Sequence, residues 1–173
     1  LARLQDRIIA NEMHPEMCRI LRKTLAGHVC CKVLELDASV ALRANVPPRE
    51  RRGLVLFDPP FERPDEFALL VNDIAAAHAK WPTGIYSIWY PLKDMALVNR
   101  FIKALVERGL TRILRLEMTV HQRPTGMGGC GLLVINPPWK LKEEAAILLA
   151  ALTQRLATGV GARYRCEAVL PDG

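Results

Sequence analysis

The sequence lacks any CxxC pair. Its five cysteines are an odd number, with Cys30 and Cys31 adjacent and Cys18, Cys130 and Cys166 isolated. That spacing supports neither a zinc site nor a disulfide framework, so reduced thiols in a cytoplasmic protein are the expectation. His14, His28, His78 and His121 show no metal-ligand spacing, and no metal is expected. No apolar run reaches the roughly 18 residues that a membrane helix needs, which excludes a helical span. There is no Ser-His-Asp arrangement and no Walker loop. No signal-peptide pattern opens the chain either. Its first residues, Leu1-Ala2-Arg3-Leu4 without Met, read as the interior of a longer protein or as a truncated one.

What is present is a chain of 173 residues, half of them apolar and 24% charged. This describes one soluble globular domain with enough apolar side chains for a real core, not a disordered segment. Twenty-four basic residues stand against 18 acidic ones, a net charge of +6. Such an excess suits a polyanionic partner without specifying one.

Short apolar runs alternate with amphipathic stretches. Strands are expected at residues 7–13, 29–36, 53–57, 84–90, 111–120, 130–135 and 163–170, and helices at 15–26, 38–44, 64–80, 94–108 and 141–156. Met17, Ile20, Leu21 and Leu25 recur at steps of three and four, as do Phe67, Leu70, Val71 and Ile74. The alternation implies an α/β fold with a largely parallel sheet. The late strands are separated only by a Gly-rich loop, so the last part of the sheet is expected to be an antiparallel hairpin.

Asp58-Pro59-Pro60-Phe61 follows the apolar run Gly53-Leu54-Val55-Leu56-Phe57 directly. It therefore sits at a strand's carboxyl end, where open α/β sheets bind ligands. The four residues suit methylation of an amine. An exocyclic adenine amine is a poor nucleophile because its lone pair is delocalised into the ring. A carboxylate that accepts a hydrogen bond from it favours a more pyramidal nitrogen, and a Pro59 carbonyl can take the other hydrogen. The prolines restrict φ and remove competing donors. Phe61 offers a face to a base that has left its stack. The plainer alternative is a Pro-Pro turn with Asp58 as a local cap.

Asn136-Pro137-Pro138-Trp139 is a rival, since Asn can replace Asp in this chemistry. Asp58 is preferred because its strand is flanked by helical segments, as a central strand should be. The strand before Asn136 lies near the chain end, where a sheet edge is expected, and Trp139 is expected to pack the last helix on the sheet. Glu12 and Asp37 close two earlier strands. Each is placed to accept from ribose hydroxyls or an adenine amine, or else is a loop carboxylate or helix cap. Arg112, Arg115 and Arg123, with Lys140 and the Arg49, Arg51 and Arg52 group, are candidates for a phosphate-binding surface, or else solvated faces.

These residues resemble the RlmJ family of bacterial 23S rRNA adenine N6-methyltransferases. The similarity runs through Asn11-Glu12-Met13-His14-Pro15, Arg51-Arg52-Gly53 and the run into Asp58-Pro59-Pro60-Phe61, Gly84-Ile85-Tyr86-Ser87-Ile88-Trp89-Tyr90-Pro91, and Asn136-Pro137-Pro138-Trp139-Lys140-Leu141. The resemblance implies a class I, Rossmann-like S-adenosylmethionine-dependent methyltransferase fold. It implies cofactor contacts from Glu12 to the ribose, from Asp37 and Ala38 to the adenine, and from Asp58. It implies catalysis by Asp58, Pro59 and Phe61, where the family usually has Tyr in place of Phe61, and substrate contacts from Pro60, Phe61 and Arg123. The substrate implied is unassembled 23S rRNA, at adenine 2030, acted on by a monomer. Family members carry roughly a hundred residues more before this starting point, including the first strand and its Gly-rich cofactor loop. Residues 1–173 thus read as the C-terminal two-thirds of one methyltransferase domain, with a gap in the sheet where that strand belongs. The late Gly126–Gly131 run precedes a strand and cannot serve as the missing loop. The alternatives are a non-catalytic nucleic-acid-binding fragment, a DNA adenine methyltransferase, or a protein for using external DNA.

Overall fold

The computed structural model describes residues 3, 5–63, 65–121 and 127–169. The chain divides into two compact units, Leu1–Pro47 and Pro48–Gly173.

The first unit is a small β-α-β-α piece. Strand β1 (Ile8–Asn11) runs parallel to β2 (Cys31–Leu34), joined by helix α1 (Pro15–Leu25) and followed by α2 (Ala38–Asn45). Pro15 starts α1, where a missing N–H costs nothing. Cys18 is buried and its thiol donates to the Leu34 carbonyl, while Leu21 and Leu25 are half-covered. Met17 and Ile20, expected on the covered side, remain exposed. A two-stranded sheet is too narrow to cover the whole apolar stripe of a helix.

The second unit holds a five-stranded sheet in the order β3-β4-β6-β5-β7. Its strands are β3 (Leu54–Phe57), β4 (Ile85–Pro91), β5 (Ile113–Thr119), β6 (Gly129–Ile135) and β7 (Arg163–Val169). Strands β3 and β4 are parallel, β6 is antiparallel to both β4 and β5, and β7 is antiparallel to β5. The helices are α3 (Glu66–Lys80), α4 (Met95–Glu107) and α5 (Leu141–Leu156). Asp94 caps α4 by accepting from the Ala96 and Leu97 amides.

The two-residue period of β5 sorts its side chains between layers. Leu114 and Leu116 join Val134 and Ala145 in a cluster under α5. Arg115 and Glu117 face the other way, where the Arg115 guanidinium reaches Asn99 of α4. Tyr86, Ile88 and Tyr90 of β4 are fully buried, with Phe101 and Leu105 of α4 and Ile74 of α3 also in the core.

Two placements differ from the sequence reading. Strand β3 is not flanked by neighbours on both sides: it is an edge of its sheet, and Leu54 and Leu56 are 61% and 64% exposed. Strand β6, expected at an edge, is the middle strand of the five. A short loop returned it between β4 and β5 instead of outside them, a choice made by pairing and not by order along the chain. Among the described residues, no strand pairing joins the two sheets.

Candidate active site

In the second unit, the carboxyl end of β3 delivers Asp58 to solvent, with Pro59 half-buried and Pro60 exposed. No hydrogen bond or ion pair among the described residues takes up the Asp58 carboxylate or the Pro59 carbonyl. Phe61 then adopts φ 52°. A non-glycine residue in this left-handed region costs about 1–2 kcal/mol, and such strain gathers at functional sites. The half-buried ring is held from one flank, 4.9 Å from Phe67 and 6.0 Å from Trp89 between centroids. Phe67 in turn meets Phe101 at 5.0 Å. Sequence reasoning missed Phe67 and Trp89 as supports. The signal was present in Phe67, since it shares the apolar stripe of α3.

The hairpin between β5 and β6 opens at the same end of the sheet, because Thr119 pairs with Gly129 and the Leu92 amide donates to the Gly129 carbonyl. Arg123 lies outside the described residues. Gly131 of this hairpin sits beneath Tyr90: a Cβ there would come within 2.3 Å of the ring.

In the first unit, Glu12 and Asp37 follow two adjacent parallel strands and therefore share one end of that sheet. Glu12 Oε1 accepts from the His14 amide at 2.8 Å, and Asp37 caps α2 by accepting from the Val40 amide at 3.2 Å. The Asn11 side chain donates to the Leu36 carbonyl at 2.9 Å, tying the two strand ends together. The second oxygen of each carboxylate accepts nothing among the described residues. These two acceptors, with Ala38 opening α2, fit the hydroxyl and amine donors of an adenosine moiety.

Asn136 is placed quite differently. Strand β6 runs against β3 and β4, so its carboxyl end meets their amino ends, opposite Asp58. There the Asn136 Nδ2 donates to the Pro82 and Gly84 carbonyls, both at 2.8 Å. Its amide group staples the loop before β4 and is not available as an acceptor pair for a base beside Asp58.

Arg115 also departs from the sequence expectation. It is only 6% exposed and cannot belong to a phosphate-binding surface. Its Nε donates to Glu117 Oε1 at 2.7 Å, its Nη1 to Asn99 at 3.1 Å, and the Tyr90 hydroxyl donates to the same Glu117 oxygen at 3.0 Å. Burial first, and then the Glu117 carboxylate, push the Tyr90 phenol far above its ordinary range, so it stays protonated and donates to Glu117. Trp139 does not pack α5 on the sheet; it is 91% exposed.

Residues 1–168 match the family described as ribosomal RNA large subunit methyltransferase D, RlmJ. This chain belongs to the RlmJ family. Two curated relatives carry the name ribosomal RNA large subunit methyltransferase J. The Haemophilus influenzae protein is 36% identical over 99% of this chain, and the Escherichia coli K12 protein 35% over the same share. The chain spans 62% of the length of each. A crystal structure of the Legionella pneumophila protein LPL1258 is similar with a TM-score of 0.89 and 32% identity, over 96% of this chain and 62% of that one. The α/β architecture expected from the sequence is present, with β1 parallel to β2, β3 parallel to β4, and an antiparallel hairpin of β5 and β6.

Proposed function

We propose that the chain is the C-terminal two-thirds of a methyltransferase domain that transfers a methyl group to the exocyclic N6 amine of an adenine in 23S rRNA. The reading rests above all on one observation. In a chain of this family, Asp58 and the Pro59 carbonyl are unclaimed acceptors at a strand's carboxyl end, beside a strained Phe61.

Glu12 would hold the ribose hydroxyls of S-adenosylmethionine, and Asp37 with Ala38 its adenine. When bound, that cofactor supplies an electrophilic methyl group. Asp58 accepts one hydrogen of the target amine and the Pro59 carbonyl the other, which turns the nitrogen lone pair out of conjugation. Pro60 and Phe61 fix the base, with the Phe61 ring backed by Phe67 and Trp89 so that it does not yield when a base presses on it. Orientation and hydrogen-bond acceptance are the whole contribution of these side chains. The hydroxyl that a tyrosine would carry is absent at Phe61, so no proton passes through this ring.

A thermal melt with S-adenosylmethionine and with S-adenosylhomocysteine is the first test, since a ligand of the folded state raises Tm. Methyl transfer to unmodified 23S rRNA, set beside duplex DNA, is the second. Asp58→Ala is expected to lower transfer by about 100-fold or more, by the scale of a lost positioning acceptor, with little change in cofactor affinity. Full turnover by Asp58→Ala, or acceptance by DNA in preference to rRNA, would sink the reading.

A further inference from the structure

The end of the five-stranded sheet opposite Asp58 carries residues that the methylation site does not use. Gly53 precedes β3 there, and Arg49, Glu50, Arg51 and Arg52 line an open pocket of about 640 Å³ with Trp81 and Thr83. Trp81 forms the pocket's rigid wall. It is buried, and a Cβ at Gly84 or Gly53 would come within 2.4 or 2.8 Å of its ring, so both glycines permit its close packing.

The Asn136 turn lies beside this pocket. Asn136 grips the Pro82 and Gly84 carbonyls on either side of Thr83, and its amide donates to the Arg112 carbonyl at 2.8 Å. Asn136 has φ 54°, a conformation that Asn tolerates. The next two residues are prolines with restricted φ, and the Leu141 amide closes the turn on the Pro138 carbonyl. This stiff turn presents Trp139 to solvent, followed by exposed Lys140. Exposing a whole indole forfeits about 2–3 kcal/mol of burial. Holding it on a preorganised turn is what a contact surface requires.

We propose that this sheet end is a second RNA-binding surface, on which Trp139 stacks an unpaired base while Arg49, Arg51, Arg52 and Arg112 contact phosphates. An isolated aromatic among cations is the pattern of single-stranded nucleic-acid platforms. Protein interfaces instead deplete their centres of charge. Glu50 is the one acid that lines the pocket with these arginines, Glu143 and Glu144 follow Lys140 in sequence, and none of the four arginines forms an ion pair among the described residues. From Gly53 to Asp58 the strand covers roughly 16 Å, so one RNA can touch both ends of β3. The proposal deepens the rRNA reading by naming where the substrate strand runs beyond the target base.

The test is fluorescence anisotropy of the whole chain with a labelled single-stranded oligoribonucleotide of about 12 nucleotides, without S-adenosylmethionine. Trp139→Ala is expected to weaken binding by about 5- to 100-fold, with Trp139→Phe recovering most of it. Arg51→Ala/Arg52→Ala should lower the slope of log K against log salt by about 1.4. Wild-type melting temperatures check that these exposed substitutions leave the fold intact. Unchanged affinity in Trp139→Ala overturns the proposal. So does equal competition by duplex RNA, or a Trp139-dependent dimer that binds no RNA. The two readings separate cleanly. Trp139-dependent binding alongside full turnover by Asp58→Ala would retire the proposed catalytic site and keep the surface. Transfer whose KM ignores Trp139→Ala would do the reverse.

Discussion

Arg115 shows how far a single residue's meaning depends on its face. In sequence it is one more cation among Arg112 and Arg123. In the fold its strand turns it inward onto Glu117, and its salt bridge is as buried as the aliphatic core. Removing one partner leaves the other charged and desolvated. Glu117→Ala should therefore destabilise the protein by about 3–5 kcal/mol, read as a lower urea midpoint. The double change Arg115→Met/Glu117→Leu should cost much less, because no orphan charge remains. Tyr86 gives a pH signature. Its hydroxyl donates to the Trp81 carbonyl at 2.9 Å, and burial pushes its pKa up to about 12 from 10. The unfolded chain ionises first, so this contribution is full below pH 10 and is lost as pH rises through about 12. Tyr86→Phe should remove that alkaline component from the stability profile.

At the level of elements, start and stop signals were legible, and neighbours were not. The helix expected at 94–108 forms as α4, with Asp94 as its cap and Gly109 just past its end. Gly109 has φ 85°, its amide donates to the Val106 carbonyl, and Leu110 reaches back to Leu105. Gly109→Ala should cost about 1 kcal/mol, measurable as a lower denaturant midpoint with an unchanged m-value. Gly131 lacked such a signal, because its need arises from the Tyr90 ring on the neighbouring strand. Gly131→Ala should cost about 1–3 kcal/mol by overpacking. It should also perturb the hairpin at the Asp58 end of the sheet, and the cost would be read as a lower denaturant midpoint. Local order likewise misplaced β3 and β6. The apolar run of β3 reads as a buried central strand, yet its outer edge and two leucines face solvent.

For the whole molecule, sheet width sets the distribution of stability. A two-stranded sheet is marginal alone, while a five-stranded one with helices on both faces is not. Amides of β1 and β2 should exchange with solvent faster than those of β4, β5 and β6. Equal protection in hydrogen exchange would show that the two units unfold as one. The chain spans 62% of the length of its curated relatives. Strand β3 is an unpaired edge of its sheet, with Leu54 and Leu56 exposed.

By itself the sequence determined the element types, most helix ends, the family, and the position of Asp58 at a strand's carboxyl end. These follow from periodicity, caps and short motifs, all of which act over a few residues. Tertiary structure alone set Asp58 apart from Asn136. Both follow apolar strands, and both precede two prolines and an aromatic residue. Strand direction separates them: β3 runs parallel to β4 and β6 runs against it, so the two motifs stand at opposite ends of one sheet. Direction is a relation between strands, and no local pattern encodes it.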